Sequence, residues 1–179
     1  MNVVECIETR RSVRKFKPDA VDHSIIEELI KTTSFSPSWK NTQIARFYAV
    51  EGALKDEIGK VGTPAYPHNG EIIAEAPMLI VMTFVKNRSG FERDGSYSTT
   101  KEGGWQMFDS GIYAQSFCLS AHDKGLGTVI MGICDADIIA SKLELPDTQE
   151  VACLIPIGYP DETPIAPKRK EVSDLLVFK

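Results

Sequence analysis

Apolar and polar positions follow several periods along this chain, and each period predicts an element. Behind Asp22, residues Ile25, Ile26, Leu29 and Ile30 recur at helical spacing with acids in the first turns, which predicts an amphipathic helix from His23 to Lys31. From Pro77 to Val85 the chain is a nearly continuous apolar, β-rich run bounded by proline. That is the pattern of a strand buried on both faces, so it should be central in its sheet. Gly104 to Lys124 carries the longest helical pattern, with Trp105, Phe108, Ile112 and Gln115 on one line and Tyr113, Phe117 and Ala121 on another. At 1.5 Å per residue such a helix spans about 30 Å, and apolar residues around most of its circumference predict burial on two sides, in a core and at a subunit interface.

Shorter segments complete the pattern. Asn2 can cap a first helix through Thr9. Arg46–Val50, Leu126–Gly132 and Val151–Gly158 read as strands, and Ala53–Val61 and Ala136–Leu143 as helices, the latter capped by Asp135. Two prolines and two glycines between Gly62 and Gly70 argue against helix there, leaving a short helix from Glu71 to Glu75. Thr33–Gln43 is a polar, proline-broken loop with one large exposed aromatic candidate, Trp39, and Lys86–Glu102 is a polar, glycine-containing excursion expected to be mobile. Tyr159–Pro167 reads as an extended arm, followed by an apolar tail, Val172–Phe178, that needs a surface to lie on. Two helices precede the first strand, βαβ regularity is absent, and no repeat or linker divides the chain. These features predict one α+β domain over residues 1–179 rather than a doubly wound parallel sheet.

Charge changes the picture locally. The net charge of -5 argues against general nucleic-acid binding, yet Arg10, Arg11, Arg14, Lys15 and Lys17 fall together with no carboxylate among them, and Lys168-Arg169-Lys170 forms a second basic cluster. Like charges at this density repel, so a bound phosphate would stabilise them. Arginine forks suit phosphate oxygens, and Ser12 adds a hydroxyl. The two ends of the fold could converge on one phosphate. The N-terminus lacks the pattern of a secretory signal and no apolar run is long enough to span a bilayer, which gives the expectation of a cytoplasmic protein. The four cysteines and three histidines are scattered, so disulfides and a metal site are not expected.

Gly125-Leu126-Gly127 enters a strand instead of leaving one, so it fails the context of a dinucleotide fingerprint, and no hydrolase or Walker motif is present. Anion-binding groups are plentiful while acid, base and nucleophile candidates are few, as expected where a bound cofactor performs the chemistry.

Four segments in order carry a resemblance: Thr9-Arg10-Arg11-Ser12-Val13-Arg14-Lys15-Phe16; Ser36-Pro37-Ser38 with Asn41 and Gln43; Gly125-Leu126-Gly127 before Met131-Gly132; and Ile157-Gly158-Tyr159-Pro160 with Lys168-Arg169-Lys170. Together they resemble the nitroreductase family along nearly the whole chain. The resemblance implies a three-layer α/β/α fold with a central, mainly antiparallel sheet and a homodimer with exchanged C-terminal arms and two flavin mononucleotides (FMN) at its interface. It places Arg10, Arg11, Ser12 and Arg14 on the phosphate and ribityl end, joined by Lys168 and Arg169 or Lys170. Pro37, Ser38, Trp39 and Asn41 would reach the partner's flavin, and Asn69 the polar edge of the ring. Met131, Gly132 and Ile133 would border the ring, with a backbone N–H at or beside Gly132 facing the nitrogen that accepts hydride. The implied activity is ping-pong transfer from NADH or NADPH through FMN to a nitroaromatic, quinone or similar acceptor. The alternatives are a non-catalytic or regulatory flavin-binding protein and a dehalogenating or flavin-degrading relative. Three departures bear on substrate choice: Ile72 stands where some members have lysine, Ile44-Ala45 replaces a frequent Pro-Trp, and the chain is short.

Overall fold

The computed structural model describes residues 1–179. Ten elements run in the order α1 (Val3–Thr9), α2 (His23–Thr33), β1 (Ala45–Val50), α3 (Gly52–Val61), α4 (Pro67–Glu75), β2 (Met78–Val85), α5 (Gly104–Asp123), β3 (Gly127–Thr128), α6 (Ala136–Lys142) and β4 (Gln149–Gly158). The strands form one antiparallel sheet in the order β1-β2-β4-β3. β2 is internal, as its unbroken apolar run predicts. Alternation divides it: Met78, Ile80 and Met82 face one side, Leu79 and Val81 the other, and each side has its own buried cluster.

Helices cover both faces, giving three layers. On the first face, Ile26 and Leu29 of α2 pack with Tyr113, Ala114, Phe117, Cys118 and Ala121 of α5 against Met78, Ile80 and Met82 of β2 and Ile155 and Ile157 of β4. On the second, Ile58 of α3, Ile72 and Ile73 of α4 and Ile139 of α6 pack on Leu79, Val81 and Leu154. Apolar side chains of this size gain about 1.5–3 kcal/mol each from full burial, so the two clusters account for the main stabilising term. Asn2, Asp22 and Asp135 cap α1, α2 and α6 through their side-chain oxygens, as expected from their positions.

Three expectations are corrected. α4 begins at Pro67, four residues before the expected Glu71, because proline at the first helical position gives up an N–H that would have no intrahelical partner there. The strand expected from Leu126 to Gly132 shrinks to Gly127–Thr128, followed by a single bridge between Met131 and Leu154. In the loop after α2, the strongly exposed aromatic is Phe35, at 84%, while Trp39 is half-buried against Trp105 with ring centroids 4.7 Å apart. The 86–102 segment has no helix or strand, but it closes on itself through a Phe91–Tyr97 bridge and a hydrogen bond from Ser98 N–H to Gly90 O, with Ser89 and Gly90 buried.

Candidate functional site

The basic segment leaves α1 as extended backbone held at two points. Val13 N–H donates to Thr128 O at 3.0 Å, and Lys17 N–H donates to Tyr159 O at 2.9 Å. Val13 and Phe16 are buried while Arg14 and Lys15 between them stay exposed, so two apolar anchors three positions apart hold the charged pair outside. The approach to β3 is close. A Cβ added at Gly127 would lie 2.8 Å from the Val13 side chain, so only glycine lets the two backbones pair here.

Arg10 and Arg11 line a cavity of about 450 Å³, together with Thr9, His122, Gly125–Thr128 and the arm from Pro160 to Ala166. The Arg11 guanidinium donates to Glu8 O and Arg10 O, both at 2.7 Å, so it is occupied at the end of α1. The Arg10 guanidinium has no acceptor in the chain and is free for an anion. His122, bonded to the Thr9 hydroxyl at 2.9 Å, is pushed below its ordinary pKa by burial and then by the charges of Arg10 and Arg11, which keeps the imidazole neutral in this electropositive pocket. Glu162 brings a carboxylate to the edge of the segment, accepting from Arg14 N–H at 2.5 Å and Lys15 N–H at 3.2 Å.

From this pocket the chain runs through Thr128 to an exposed strip. Met131 pairs with Leu154, which turns its side chain into the core, where it is 4% exposed. Alternation through Val129 and Met131 leaves Ile130 at 46% exposure on the outside, and Ile133, beyond the bridge where the alternation ends, is 53% exposed. Gly132 between them has no atom within 4 Å of an added Cβ. The N–H groups of Gly132 and Ile133 find no acceptor in the chain. Asn69, 7% exposed, donates from Nδ2 to Ile133 O at 3.1 Å and so fixes this strip from α4. Of the expected site residues, Arg10 and Arg11 share the pocket, Ser12 bridges Thr128 beside it, and Asn69 holds Ile133 next to Gly132 farther along the same segment. Ile130 and Thr128 join them, missed in the sequence although strand alternation through Val129 and Met131 would have found Ile130. No thiol is a candidate nucleophile: burial raises Cys6, Cys118 and Cys134, and pushes Cys153 up to about 12, so all four stay protonated at neutral pH.

Two expected groups lie elsewhere in the single chain. Lys168, Arg169 and Lys170 are exposed and line a separate hollow with Glu171 and Asp174, so they do not meet Arg10. Pro37, Ser38, Trp39 and Asn41 sit at the other end of α5. Trp39 is tied to Asp109, whereas the basic pocket abuts His122, and thirteen residues of helix separate these points by roughly 20 Å. Within this loop Ser38 Oγ accepts from Gln43 N–H at 3.0 Å, and Asn41 Oδ1 accepts from Gln43 Nε2 at 3.3 Å.

An antiparallel sheet between two helical layers, with a basic pocket next to a strip of free backbone donors, defines a layered α+β protein. The chain belongs to the nitroreductase family, whose family model matches residues 7–159. It is 27% identical, over 92% of its length and 80% of the relative's, to a protein of Methanothermobacter thermautotrophicus provisionally named NADH dehydrogenase/NAD(P)H nitroreductase. Among solved structures, a nitroreductase family protein from Streptococcus pneumoniae TIGR4 superposes with a TM-score of 0.87 at 21% identity, covering 99% of this chain and 100% of that one. A provisionally named nitroreductase from Desulfovibrio desulfuricans, solved in complex with FMN, superposes with a TM-score of 0.82 at 22% identity, covering 100% and 97%. No helix is long and apolar enough to cross a membrane.

Proposed function

We propose that this nitroreductase-family protein is an FMN-dependent oxidoreductase that takes a hydride from NADH or NADPH and reduces flat, electron-poor acceptors such as nitroaromatics or quinones at the same site. The observation that carries the reading is the pairing of a free Arg10 guanidinium in a basic pocket with the open Gly132–Ile133 strip, joined by the Ser12–Thr128 bridge. That arrangement fits a molecule with a phosphate at one end and a planar, acceptor-rich ring at the other. The FMN complex of the Desulfovibrio protein and the NAD(P)H in the name of the Methanothermobacter relative point the same way.

FMN supplies the hydride and electron chemistry when bound. The chain holds and orients. Arg10 would take the phosphate, with the neutral His122 in the same pocket. Ser12 and Arg14 would serve the phosphate and ribityl end, and the N–H groups of Gly132 and Ile133 would donate toward the ring from a peptide held by Asn69. Ile130 and Ile133 would give the ring apolar contact and help keep water off the reacting face.

The second half of the site comes from a partner copy. The Trp39 loop is too far along α5 to serve the same pocket, so Pro37, Ser38, Trp39 and Asn41 close the partner's site, and Lys168–Lys170 reach a phosphate only when the arm is laid across the dimer. The decisive experiment is anaerobic mixing of purified, FMN-loaded protein with NADH or NADPH. Rapid bleaching of the flavin band, followed by reoxidation on adding a nitroaromatic or quinone, supports the reading. Bound flavin that NAD(P)H does not bleach would leave a flavin-binding protein without turnover.

A further inference from the structure

Asp109 lies in the first half of α5 and is 1% exposed, yet no cation stands within ion-pairing distance of it. A buried carboxylate without a counter-charge is costly unless hydrogen bonds hold it. The donors it has gathered are specific. Trp39 N–H donates to both oxygens, at 3.0 and 3.2 Å, and Ser89 Oγ donates at 2.5 Å. Ser89 Oγ also lies 2.7 Å from Thr42 Oγ1. Since the single Ser89 proton goes to Asp109, Thr42 is the donor in that pair. One buried carboxylate thus grips both ends of the 3₁₀ turn Trp39–Asn41, and does so through a residue of the 86–102 loop.

The gripped turn needs holding. Lys40, Asn41 and Gln43 have φ of 44°, 55° and 48°, three non-glycine residues in the left-handed region within four positions, a conformation that persists only where surroundings enforce it. The Trp39 ring lies against Trp105 at 4.7 Å with planes tilted by 43°, and its Nε1 is buried with no acceptor in the chain. The indole is held in place, and its hydrogen-bonding capacity is not what holds it.

We propose that Asp109 is a positioning residue: through Trp39 N–H and Ser89 it fixes the Trp39 indole in the one orientation that shapes acceptor access at the flavin site, and it couples that orientation to the 86–102 loop. The link to acceptor access rests on the function proposed above, whereas the hold on Trp39 and its coupling to the loop do not. An aspartate is suited to this role because both oxygens accept. An asparagine of the same shape keeps one acceptor and turns an N–H₂ toward donors.

The test uses the full-length protein. Trp39 and Trp105 are its only tryptophans, so their coupled transitions give a paired-sign band in far-ultraviolet circular dichroism that reports their geometry directly. Trp105→Phe sets the baseline without that band. Asp109→Asn should collapse the band toward this baseline and Ser89→Ala should weaken it. In the flavin-loaded enzyme both should change KM for a bulky quinone by at least about fivefold, with FMN affinity kept within about threefold. A band of wild-type strength in Asp109→Asn overturns the latch, and a lost band with unchanged acceptor KM overturns its link to the site. Should the wild type fail to turn over at all, the function proposed above falls, while the band still decides whether Asp109 holds Trp39. Ser89→Ala removes one hydroxyl and keeps the carboxylate, so it tests the latch even if Asp109→Asn folds poorly.

Discussion

Arg10 and Arg11 are adjacent and identical in type, but they differ in what holds them. The Arg11 fork is spent on carbonyls at the end of α1, while Arg10 faces the cavity without an acceptor. Arg10→Ala should therefore weaken FMN binding by roughly ten- to a hundredfold, the value of one charge-assisted contact of about 1.5–3 kcal/mol. Arg11→Ala should mainly lower stability, by about 1 kcal/mol, with a smaller effect on affinity. Flavin fluorescence titration and chemical denaturation separate the two, and equal affinities for Arg10→Ala and wild type would remove the phosphate from this pocket. The sequence made the basic cluster legible but could not show this division of labour, which depends on where α1 ends. His122 gives a second test. Its folded pKa is depressed by burial, then by Arg10 and Arg11, with Asp123 acting weakly the other way. The unfolded chain takes its proton at an ordinary value near 6.5. Stability is thus unaffected above that pH and falls as pH drops through it toward the depressed folded value. An FMN phosphate on Arg10 offsets part of the positive field, so the His122 proton resonances should titrate at higher pH with FMN than without. An unmoved titration would place the phosphate away from this pocket.

At the scale of elements, the sequence was most legible where burial imposes one strict period. β2 alternates into two clusters and α5 presents a core line, both readable from residue spacing. It was least legible where a single long-range contact decides. One bridge to Leu154 sets which way Met131 faces, and Asp109, which belongs to no sequence motif, acts as a carboxylate acceptor for a loop seventy residues away. The 86–102 loop is a further instance. Its polar composition suggested a mobile excursion, but Ser89 anchors its base and Lys40 pairs with Glu92 at 2.9 Å farther out. The outer part, from Phe91 to Ser98, is exposed apart from Phe91 and Ser98, and offers little apolar area to offset ordering entropy. Replacing Glu92–Tyr97 with a short Gly-Ser linker keeps the Ser89–Asp109 contact and removes the Glu92 pair. The ratio of kcat/KM between large and small acceptors should then shift, while FMN affinity changes by less than about threefold, under roughly 1 kcal/mol. Lost flavin would assign the loop to the cofactor site, and an unchanged ratio would leave it without a part in acceptor choice.

At the scale of the whole molecule, apolar surface remains that nothing in one chain covers. Met107 and Phe108 on α5 are 53% and 59% exposed, Phe35 just past the end of α2 is 84% exposed, and Leu175, Val177 and Phe178 of the tail are 70%, 74% and 89% exposed. The sheet has an open side as well, because β1 pairs with β2 alone. Beneath its edge a hollow of about 280 Å³ is lined by Ile30, Phe47 and Tyr113, and the buried Tyr113 hydroxyl has no partner. An unpaired edge, an apolar groove and an extended apolar tail complement one another, and placing one chain's tail on the other's edge makes the contact twofold and closed. The buried clusters draw on no residue beyond Leu154, Ile155 and Ile157 except the partly buried Tyr159, so removing the tail should leave the fold intact. Two truncations separate the contributions. Ending the chain after Pro167 keeps the Glu162 clasp on Arg14 and Lys15 but deletes the Lys168 cluster and the tail, whereas ending it after Pro160 deletes the clasp too. Both should keep native far-ultraviolet circular dichroism, sediment as monomers and lose FMN affinity, the shorter one also exchanging the Arg14 and Lys15 amide protons faster. A flavin-loaded monomer from either truncation would show that neither the exchanged arm nor a partner's loop completes the site.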